Sequence, residues 1–337
     1  MGALIRRTIL VMPMAFAVAA IACHGDSVVS PTATASNVTV EAVTSLQVDG
    51  IVEQPVAQTP TVIVKDLLGH PVAGITVNFN DPTGSVSAPS VITGPSGIAS
   101  PGQWTPGYRP GKSILSVRID GAVRLTFTAT THPDVPVSLR AMSDTDNVQL
   151  AGAPITSVSI LVQDKHGNGI PGVGVSFSLI GSGSLSQPSS VTVDNGVAML
   201  STWTPGPAAG LYGVVARVAG LDSIRFKARV LDPTTLEWYS LESMIVNGKP
   251  LPISDEYVAN ADLALSDDGY YIEDIAWTYT AAESHNGGRY THPDANLSIT
   301  FSKTGESAIV AGDSLLIGRR DPDDGFPVTW LYRLRAK

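Results

Sequence analysis

Residues 107–113 are the segment whose residue types and spacing come nearest to a phosphate-binding loop. They read GYRPGKS, with three residues between the glycines, whereas a P-loop has four. The next residues, 114–119, alternate like a β-strand, where a P-loop is followed by the N-terminus of a helix. We therefore expect a turn at this segment and no phosphate site.

Two further segments contain side chains that could ligate a metal ion. Residues 321–325 read DPDDG, but an EF-hand loop has its glycine one position later and a glutamate further on. His285, His292 and Asp294, together with Glu283, lie close in sequence, but no His-Glu-x-x-His motif or cysteine pair supports zinc. We expect solvated loops, no metal and no cofactor. A weak calcium contact at the first segment and a metal site at the second stay open as alternatives.

Nucleophilic or acid–base catalysis would need a serine elbow or a pair of carboxylates in a cleft. No Gly-x-Ser-x-Gly motif occurs in the sequence. The carboxylate pairs at 255–256 and 273–274 have the pattern of surface charges at strand ends, which does not predict a glycoside-cleaving pair. We expect no catalytic residue, and a hydrolase with accessory domains stays the alternative.

Four aromatic residues could line a ligand pocket. Tyr270, Tyr271, Trp277 and Tyr279 lie on one predicted strand, and successive side chains of a strand point to opposite faces. One pair is therefore predicted to face the interior of its domain. There it would either fill the core or bind a small apolar ligand, and the sequence leaves both interpretations open.

Composition limits the classes of function. The chain has 337 residues, of which 15% are charged and 43% hydrophobic, with 32 Gly and 24 Pro; this fits two or three globular domains and not a coiled coil. A net charge of −9 argues against a nucleic-acid-binding surface. The single cysteine excludes an intramolecular disulfide.

The N-terminus has the order of an export signal. Arg6 and Arg7 precede an apolar run at residues 8–22, which is too short to span a bilayer but typical of a signal peptide. The run ends in Ala-Ile-Ala-Cys at 20–23, which resembles the lipobox of bacterial lipoproteins. This resemblance implies cleavage before Cys23 and acyl chains on Cys23, and two or more acyl chains anchor a protein stably.

Two other interpretations of the N-terminus stay open, namely a simple secretory signal that is cleaved nearby and a twin-Arg export signal. Residues 24–43 are rich in Ser, Thr, Ala and Val, which predicts a flexible tether. His24, rather than an aspartate, follows the cysteine. Under the sorting rule of enterobacterial lipoproteins, this implies the outer membrane.

An internal repeat of about 100 residues is the most informative feature of the remaining chain. Residues 61–79 (TVIVKDLLGHPVAGITVNF) match residues 159–177 (SILVQDKHGNGIPGVGVSF), and Trp-Thr-Pro-Gly recurs at 104–107 and 203–206. Apolar residues alternate with polar ones between Gly, Pro, Asn and Asp turns, which predicts antiparallel β-sandwiches. We interpret the repeated tryptophans as core residues, with exposed rings for carbohydrate stacking as the alternative.

This pair of segments resembles the bacterial immunoglobulin-like (Ig-like) group 1 domain, which is repeated in invasin and intimin. The resemblance lies in Asp-x-x-Gly-x-Pro-Val-x-Gly-Ile-x-Val-x-Phe at 66–79; the second copy departs from it at 169–171, where the proline is shifted by one. It covers residues 44–231. It implies sandwiches of seven to nine strands, without a cofactor or catalytic residue, that serve as rods, spacers or adhesive surfaces.

The last hundred residues have a different pattern. An Asp-Asp-Gly turn at 267–269 separates two apolar runs, 261–266 and 270–280, as in a β-hairpin, and further short strands follow. Asn-Gly-Lys-Pro-Leu-Pro at 247–252, followed by Asp-Gly-Tyr and Gly-Asp-x-Leu, is similar to lipocalin-like domains of bacterial lipoproteins. That resemblance implies a small closed barrel whose interior is filled or holds a small apolar ligand.

The sequence therefore predicts an all-β chain with an N-terminal lipoprotein signal peptide, two tandem Ig-like β-sandwiches and a small antiparallel β-barrel-like domain. The predicted divisions are the signal peptide 1–22, the lipidated cysteine and tether 23–43, the sandwiches 44–131 and 136–231, and the C-terminal domain 235–337. We expect a non-enzymatic cell-envelope lipoprotein that is attached to the membrane through Cys23. Its sandwiches would display the last domain to a protein or polysaccharide partner.

Overall fold

The computed structural model describes residues 37–246, 248–252, 258–277, 283–291, 298–320 and 327–335. These residues form two β-sandwiches followed by a closed β-barrel, which confirms the predicted fold class. None of them belongs to an apolar helix of membrane-spanning length. Cys23 and the predicted signal peptide lie outside the described residues.

The first sandwich consists of ten strands. In chain order they are β1 (Val38–Ala42), β2 (Gln47–Ile51), β3 (Val62–Asp66), β4 (Thr76–Asn80), β5 (Ser85–Val86), β6 (Ser90–Ile92), β7 (Ile98–Ala99), β8 (Trp104–Thr105), β9 (Gly111–Ile119) and β10 (Ala122–His132). One sheet has the order β1-β3-β7 and the other β2-β10-β9-β4-β6, while β5 pairs with β8. β2 runs parallel to β10, whereas the other strand pairs of this sandwich are antiparallel.

The strand β1 lies inside the segment that the sequence assigned to the tether. Its sequence VTVEA alternates apolar and polar residues, which suits a strand with one face on the core. Val38 is buried and pairs with Asp66 of β3. The first sandwich therefore begins at β1 rather than at residue 44.

The second sandwich repeats this layout with nine strands. They are β11 (Ser138–Ala141), β12 (Asp146–Leu150), β13 (Ile155–Gln163), β14 (Gly174–Ile180), β15 (Gly183–Leu185), β16 (Ser189–Val191), β17 (Val197–Pro205), β18 (Gly210–Arg217) and β19 (Ile224–Leu231). The sheet orders are β11-β13-β17-β15 and β12-β19-β18-β14-β16. Again the first strand of the larger sheet, β12, runs parallel to the last, β19.

Each sandwich has its own core, and the repeated residues occupy equivalent places in the two cores. Trp104 and Trp203 are fully buried, as are Phe79 and Phe177 to within a few per cent. This confirms the interpretation of both tryptophans as core residues and excludes exposed stacking rings at these positions.

The two tryptophans differ in the partner of the indole N–H. Nε1 of Trp104 donates to Oδ2 of Asp81 at 2.8 Å, and Oγ of Ser113 donates to the same oxygen at 2.6 Å. Burial raises the pKa of Asp81, but the hydrogen bonds, chiefly from Ser113 and Trp104, outweigh burial and hold this pKa below its ordinary value. The second sandwich has Leu179 at the equivalent position, and Nε1 of Trp203 is buried without a hydrogen-bond partner.

The C-terminal domain is a closed antiparallel barrel. Its strands are β20 (Glu237–Val246), β21 (Lys249–Pro252), β22 (Val258–Leu265), β23 (Tyr270–Trp277), β24 (Glu283–Thr291), β25 (Ser298–Phe301), β26 (Ser307–Ala311), β27 (Ser314–Arg320) and β28 (Pro327–Leu334). The eight strands β20 and β22–β28 pair in sequence, β28 pairs back onto β20, and β21 extends the other edge of β20. The predicted hairpin is present as β22 and β23.

Inward-facing side chains of the barrel strands pack into one core cluster. Its buried members are Tyr239, Leu241, Met244, Ala261, Leu263, Leu265, Tyr271, Ile275, Ile299, Phe301, Ala308, Leu315, Ile317, Val328, Trp330 and Tyr332. The barrel interior is thus occupied by side chains along much of the described strands, as is common in small barrels.

Candidate functional site

A cleft of about 700 Å³ lies where the second sandwich meets the barrel. Strand β12 and the residues after it form one wall, and strands β22–β24 form the other. The polar side chains of its lining are Asp144, Asn147, Gln149, Thr156, Asn260, Asp262, Asp274, His285 and Lys303. A cleft between domains that is lined by convergent polar groups is the first place to look for a binding site.

Each charged side chain that lines this cleft has an oppositely charged partner. Nζ of Lys303 lies 2.5 Å from Oδ2 of Asp144, and this ion pair joins the barrel to the second sandwich. Asp262 pairs with Arg335 of the barrel at 2.5 Å. Over the residues that the structure describes, no group of three or more His, Cys, Asp or Glu side chains converges to hold a metal ion. The cleft therefore has the character of a domain junction.

His285 makes hydrogen bonds through both of its ring nitrogens, and the bond from Nε2 crosses to the second sandwich. Nδ1 lies 2.5 Å from Oδ1 of Asp274 on the neighbouring strand, and Nε2 lies 3.2 Å from the carbonyl oxygen of Val148 in the second sandwich. Both partners accept hydrogen bonds, so both nitrogens must carry a proton for the two bonds to coexist. The hydrogen bond with Asp274 is the largest cause that raises the pKa of His285. Together with the charge of Asp274 and the carbonyl of Val148, it outweighs burial and Lys303, which lower the pKa. The imidazolium is therefore the form that fits this site.

The backbones of the two domains approach each other closely beside His285. A Cβ on Gly287 would lie 2.7 Å from the carbonyl oxygen of Val148, so this position requires glycine. An apolar cluster shared by the two domains lies next to this contact; its buried members are Val148, Leu231, Leu236, Ala264 and Ile272. The junction thus combines apolar packing with charged hydrogen bonds.

Tyr270, one of the four aromatic candidates, lies on the outer face of the barrel at this junction. The guanidinium carbons of Arg229 and Arg289 lie 5.1 and 5.0 Å from its ring centroid, and Arg289 donates to its hydroxyl at 2.7 Å. Arg229 belongs to β19 of the second sandwich and also pairs with Asp268 of the barrel. Tyr270 therefore takes part in the contact between the domains.

The other aromatic candidates are placed differently. Tyr271 is buried in the barrel, with its ring centroid 4.7 Å from that of Phe301, and burial raises its pKa to about 12. Tyr270 and Tyr271 thus face opposite sides of the sheet, as the alternation predicted. The side chain of Trp277 and all of Tyr279 lie outside the described residues. Ligand binding by this set stays a prediction.

A buried ion pair crosses the barrel interior. Nη2 of Arg319 lies 2.8 and 2.7 Å from the two carboxylate oxygens of Glu273, and the hydroxyl of Tyr332 donates to Oε1 of Glu273 at 2.6 Å. The guanidinium of Arg319 also lies 4.3 Å from the ring centroid of Trp330. Burial and the negative charge of Glu273 raise the pKa of Tyr332 well above its ordinary value, so its hydroxyl stays a donor.

The interpretation of 273–274 as surface charges is wrong for Glu273, which is only 2% exposed. Its place two residues after Tyr271 on β23 was the available signal, because residues i and i+2 of a strand share a face. Asp274 does face outward, into the cleft beside His285.

The remaining candidate segments are partly covered by the structure. Residues 107–110 lie outside any strand, as the predicted turn requires, whereas residues 111–113 already belong to β9, and no helix begins there. His285 belongs to the junction, whereas His292, Asp294 and residues 321–325 lie outside the described residues.

The two sandwiches also meet at a junction. Nδ2 of Asn168, in the turn after β13, donates to the carbonyl oxygen of Tyr108 of the first sandwich at 2.8 Å. In the same turn, Nζ of Lys165 lies 3.5 Å from Asp134 and 3.7 Å from Glu53. The three domains are therefore connected in the order in which they occur along the chain.

Comparison with known proteins gives solved structures but no family. No family model matches the chain, and no curated protein matches it. The D0-D1 domain of intimin is 20% identical, with 57% of this chain and 97% of that chain covered and a TM-score of 0.22. Invasin, described as a bacterial integrin-binding protein, is 17% identical over 89% of this chain and 59% of its own, with a TM-score of 0.40. InvD of Yersinia pseudotuberculosis is 16% identical over 90% and 99%, with a TM-score of 0.38.

All three TM-scores lie below 0.5, so the chains as wholes superpose poorly. The fold assignment accordingly rests on the strand pairing of this chain itself.

Proposed function

We propose that this chain is a non-enzymatic lipoprotein of the bacterial cell envelope. Acyl chains on Cys23 would attach it to the membrane, and the outer membrane is the location that His24 favours. The two sandwiches would act as a spacer of the Ig-like type found in invasin and intimin. The barrel at the far end would bind a surface protein or polysaccharide.

The serial contact of the three domains is the observation that carries this proposal. The turn after β13 contacts the first sandwich, and the opposite end of the second sandwich contacts the barrel through Val148 and Arg229. A series of domains joined end to end moves its last member away from the point of attachment. The charged groups that we find in the second junction hold the domains together, which supports a spacer rather than a catalytic cleft.

The outer surface of the barrel is the part we assign to the partner. The interior-facing side chains pack against one another, which supports binding outside the barrel over a lipocalin-like pocket. The outer face presents exposed apolar residues such as Ile309 on β26.

Lipid attachment is tested by labelling cells with radioactive palmitate. The wild-type chain should incorporate label and sediment with membranes, and Cys23→Ser should lose the label and be released. A Cys23→Ser variant that still incorporates palmitate and stays with membranes would contradict this part of the proposal.

Display of the barrel is tested by photocrosslinking on whole cells. A photoreactive amino acid at Ile309 of the barrel should give a discrete crosslinked species. The matched control is Val191, an exposed residue of similar size on the second sandwich. Crosslinking from Val191 but not from Ile309 would instead make the sandwiches the binding modules.

A further inference from the structure

The turn between β3 and β4 exposes two adjacent leucines. Leu67 is 72% exposed and Leu68 is 81% exposed, the highest values for large apolar side chains among the described residues. The turn is well defined, because Oδ1 of Asp66 accepts hydrogen bonds from the backbone N–H groups of Leu68 and His70 at 2.9 and 2.8 Å. A well-ordered turn that exposes two adjacent leucines to solvent is a candidate contact surface.

The second sandwich contains the same turn, and there the first sandwich partly covers it. Oδ1 of Asp164 accepts from the N–H groups of His166 and Asn168 at 2.8 and 2.9 Å, which is the same arrangement. Lys165, equivalent to Leu67, reaches Glu53 of the first sandwich and Asp134 of the segment between the two sandwiches. This turn therefore lies at the end of a sandwich, and that end faces the preceding part of the chain.

Leucines cannot make the contacts that this turn makes in the second sandwich. Lys165 pairs with carboxylates, and Nε2 of His166, equivalent to Leu68, lies 2.9 Å from Oε2 of Glu53. Leu67 and Leu68 offer no charge and no side-chain hydrogen bond. The surface that complements them is apolar.

The turn also lies where the chain arrives from Cys23. Val38, at the start of β1, pairs with Asp66, the residue directly before Leu67. The 14 residues 23–36 span at most about 50 Å even when fully extended. Acyl chains on Cys23 would thus keep this end of the first sandwich next to the membrane at high effective concentration.

We propose that Leu67 and Leu68 insert into the surface of the lipid bilayer that holds Cys23. This contact holds that end of the first sandwich against the membrane, so that the domain does not move freely at the end of its tether. This proposal rests on the lipid attachment under the proposed function.

The test attaches the protein chemically, so that it does not depend on lipidation in cells. The chain from Cys23 onward is coupled through its only thiol to a maleimide-headgroup lipid in phosphatidylcholine vesicles. Hydrogen exchange of the amides of residues 66–70 is then compared with that of the uncoupled chain. Coupling should slow exchange in the wild type by about tenfold and leave it unchanged in Leu67→Ser/Leu68→Ser, since burial of leucine provides the driving force.

Leu211→Ser is the matched control, because Leu211 is similarly exposed but lies on the second sandwich. It should behave like the wild type. No slowing in the coupled wild type, or equal slowing in the double serine variant, would overturn the proposal. Slowing in the uncoupled chain that grows with protein concentration would assign the turn to a second copy and would equally overturn it. Failure of palmitate labelling in cells, with slowing intact here, would count against the proposed function alone.

Discussion

His285 of the barrel donates a hydrogen bond from Nε2 to the carbonyl oxygen of Val148 in the second sandwich, over 3.2 Å. The other ring nitrogen contacts the carboxylate of Asp274. A neutral imidazole carries one proton, so it can serve only one of these acceptors. The protonation state of His285 therefore affects the contact between the barrel and the second sandwich.

The first prediction is that the contact between the barrel and the second sandwich weakens as pH rises. The pKa of His285 is raised by Asp274 in the folded state, against burial and Lys303, whose own charge is paired with Asp144. Its stabilising contribution is therefore complete below its unfolded pKa of about 6.5 and is lost as pH rises through the higher folded value. In calorimetry at pH 5.5, the barrel should melt at a higher temperature in the wild type than in His285→Gln. The difference between the two melting temperatures should be smaller at pH 8.5.

The control for this experiment is His132→Gln, which changes an exposed histidine at the end of β10. Its melting temperature should follow that of the wild type at every pH. A constant difference between wild type and His285→Gln from pH 5.5 to 8.5 would contradict the role of protonation.

A second prediction concerns the junction between the two sandwiches. Lys165→Glu places a negative charge beside Glu53 and Asp134, so repulsion replaces two ion pairs. We expect a larger radius of gyration in small-angle X-ray scattering, and the expansion should diminish at high salt because the charges are screened. Lys112→Glu, an exposed charge reversal on β9, should leave the radius unchanged. An unchanged scattering profile for Lys165→Glu would show that these pairs do not hold the domains.

A third prediction concerns the carboxylate under Trp104. Asp81→Ala leaves the indole N–H of Trp104 buried without an acceptor and leaves the hydroxyl of Ser113 only the long contact with Oγ1 of Thr83 at 3.4 Å. It should lower the free energy of unfolding of the first sandwich by about 2–4 kcal/mol. The exposed Asp49→Ala is the control. Because the folded pKa of Asp81 is lowered, this contribution is present above the unfolded carboxyl pKa of about 3.9 and is lost as pH falls through the folded pKa. Chemical denaturation at pH 7 and in acid measures both effects.

A fourth prediction concerns the ion pair inside the barrel. Arg319→Met leaves the buried carboxylate of Glu273 without its cation and should destabilise the barrel by about 3–5 kcal/mol. Adding Glu273→Leu should recover part of this loss, because the fully buried carboxylate is then removed. The recovery is incomplete because Glu306, which pairs with Arg319 at 3.1 Å, still lacks its cation. The exposed pair of Arg333 and Glu242 is the comparison, and Arg333→Ala should cost less than about 1 kcal/mol. Equal losses for Arg319→Met and Arg333→Ala in urea denaturation would contradict this account.

Much of the fold could be predicted because every second side chain of a strand points to the same face, so a buried face shows in the sequence as alternating apolar residues. The alternation of apolar and polar residues in the repeated segments predicted one buried face per strand. Val77 and Phe79 are buried accordingly, as are Val175 and Phe177 in the second copy. The pairing of Glu273 with Arg319 depends on the register of strands that are far apart in sequence, which no local pattern specifies. The role of His285 depends on where a neighbouring domain stands, so its own segment contained no signal for it.

The parallel pairing of β2 with β10 and of β12 with β19 has a mechanical consequence for a chain held at one end. After the short first strand β1 or β11, the chain enters the larger sheet at one end of a parallel pair, β2 beside β10 or β12 beside β19, and it leaves that pair at the opposite end. A pull on the two ends of the module therefore slides these strands lengthwise past each other. All the hydrogen bonds between them resist the pull at once, whereas a hairpin pulled at its open end would unzip bond by bond. Under the proposed function, each sandwich would therefore resist tension along the direction from the membrane to the bound partner.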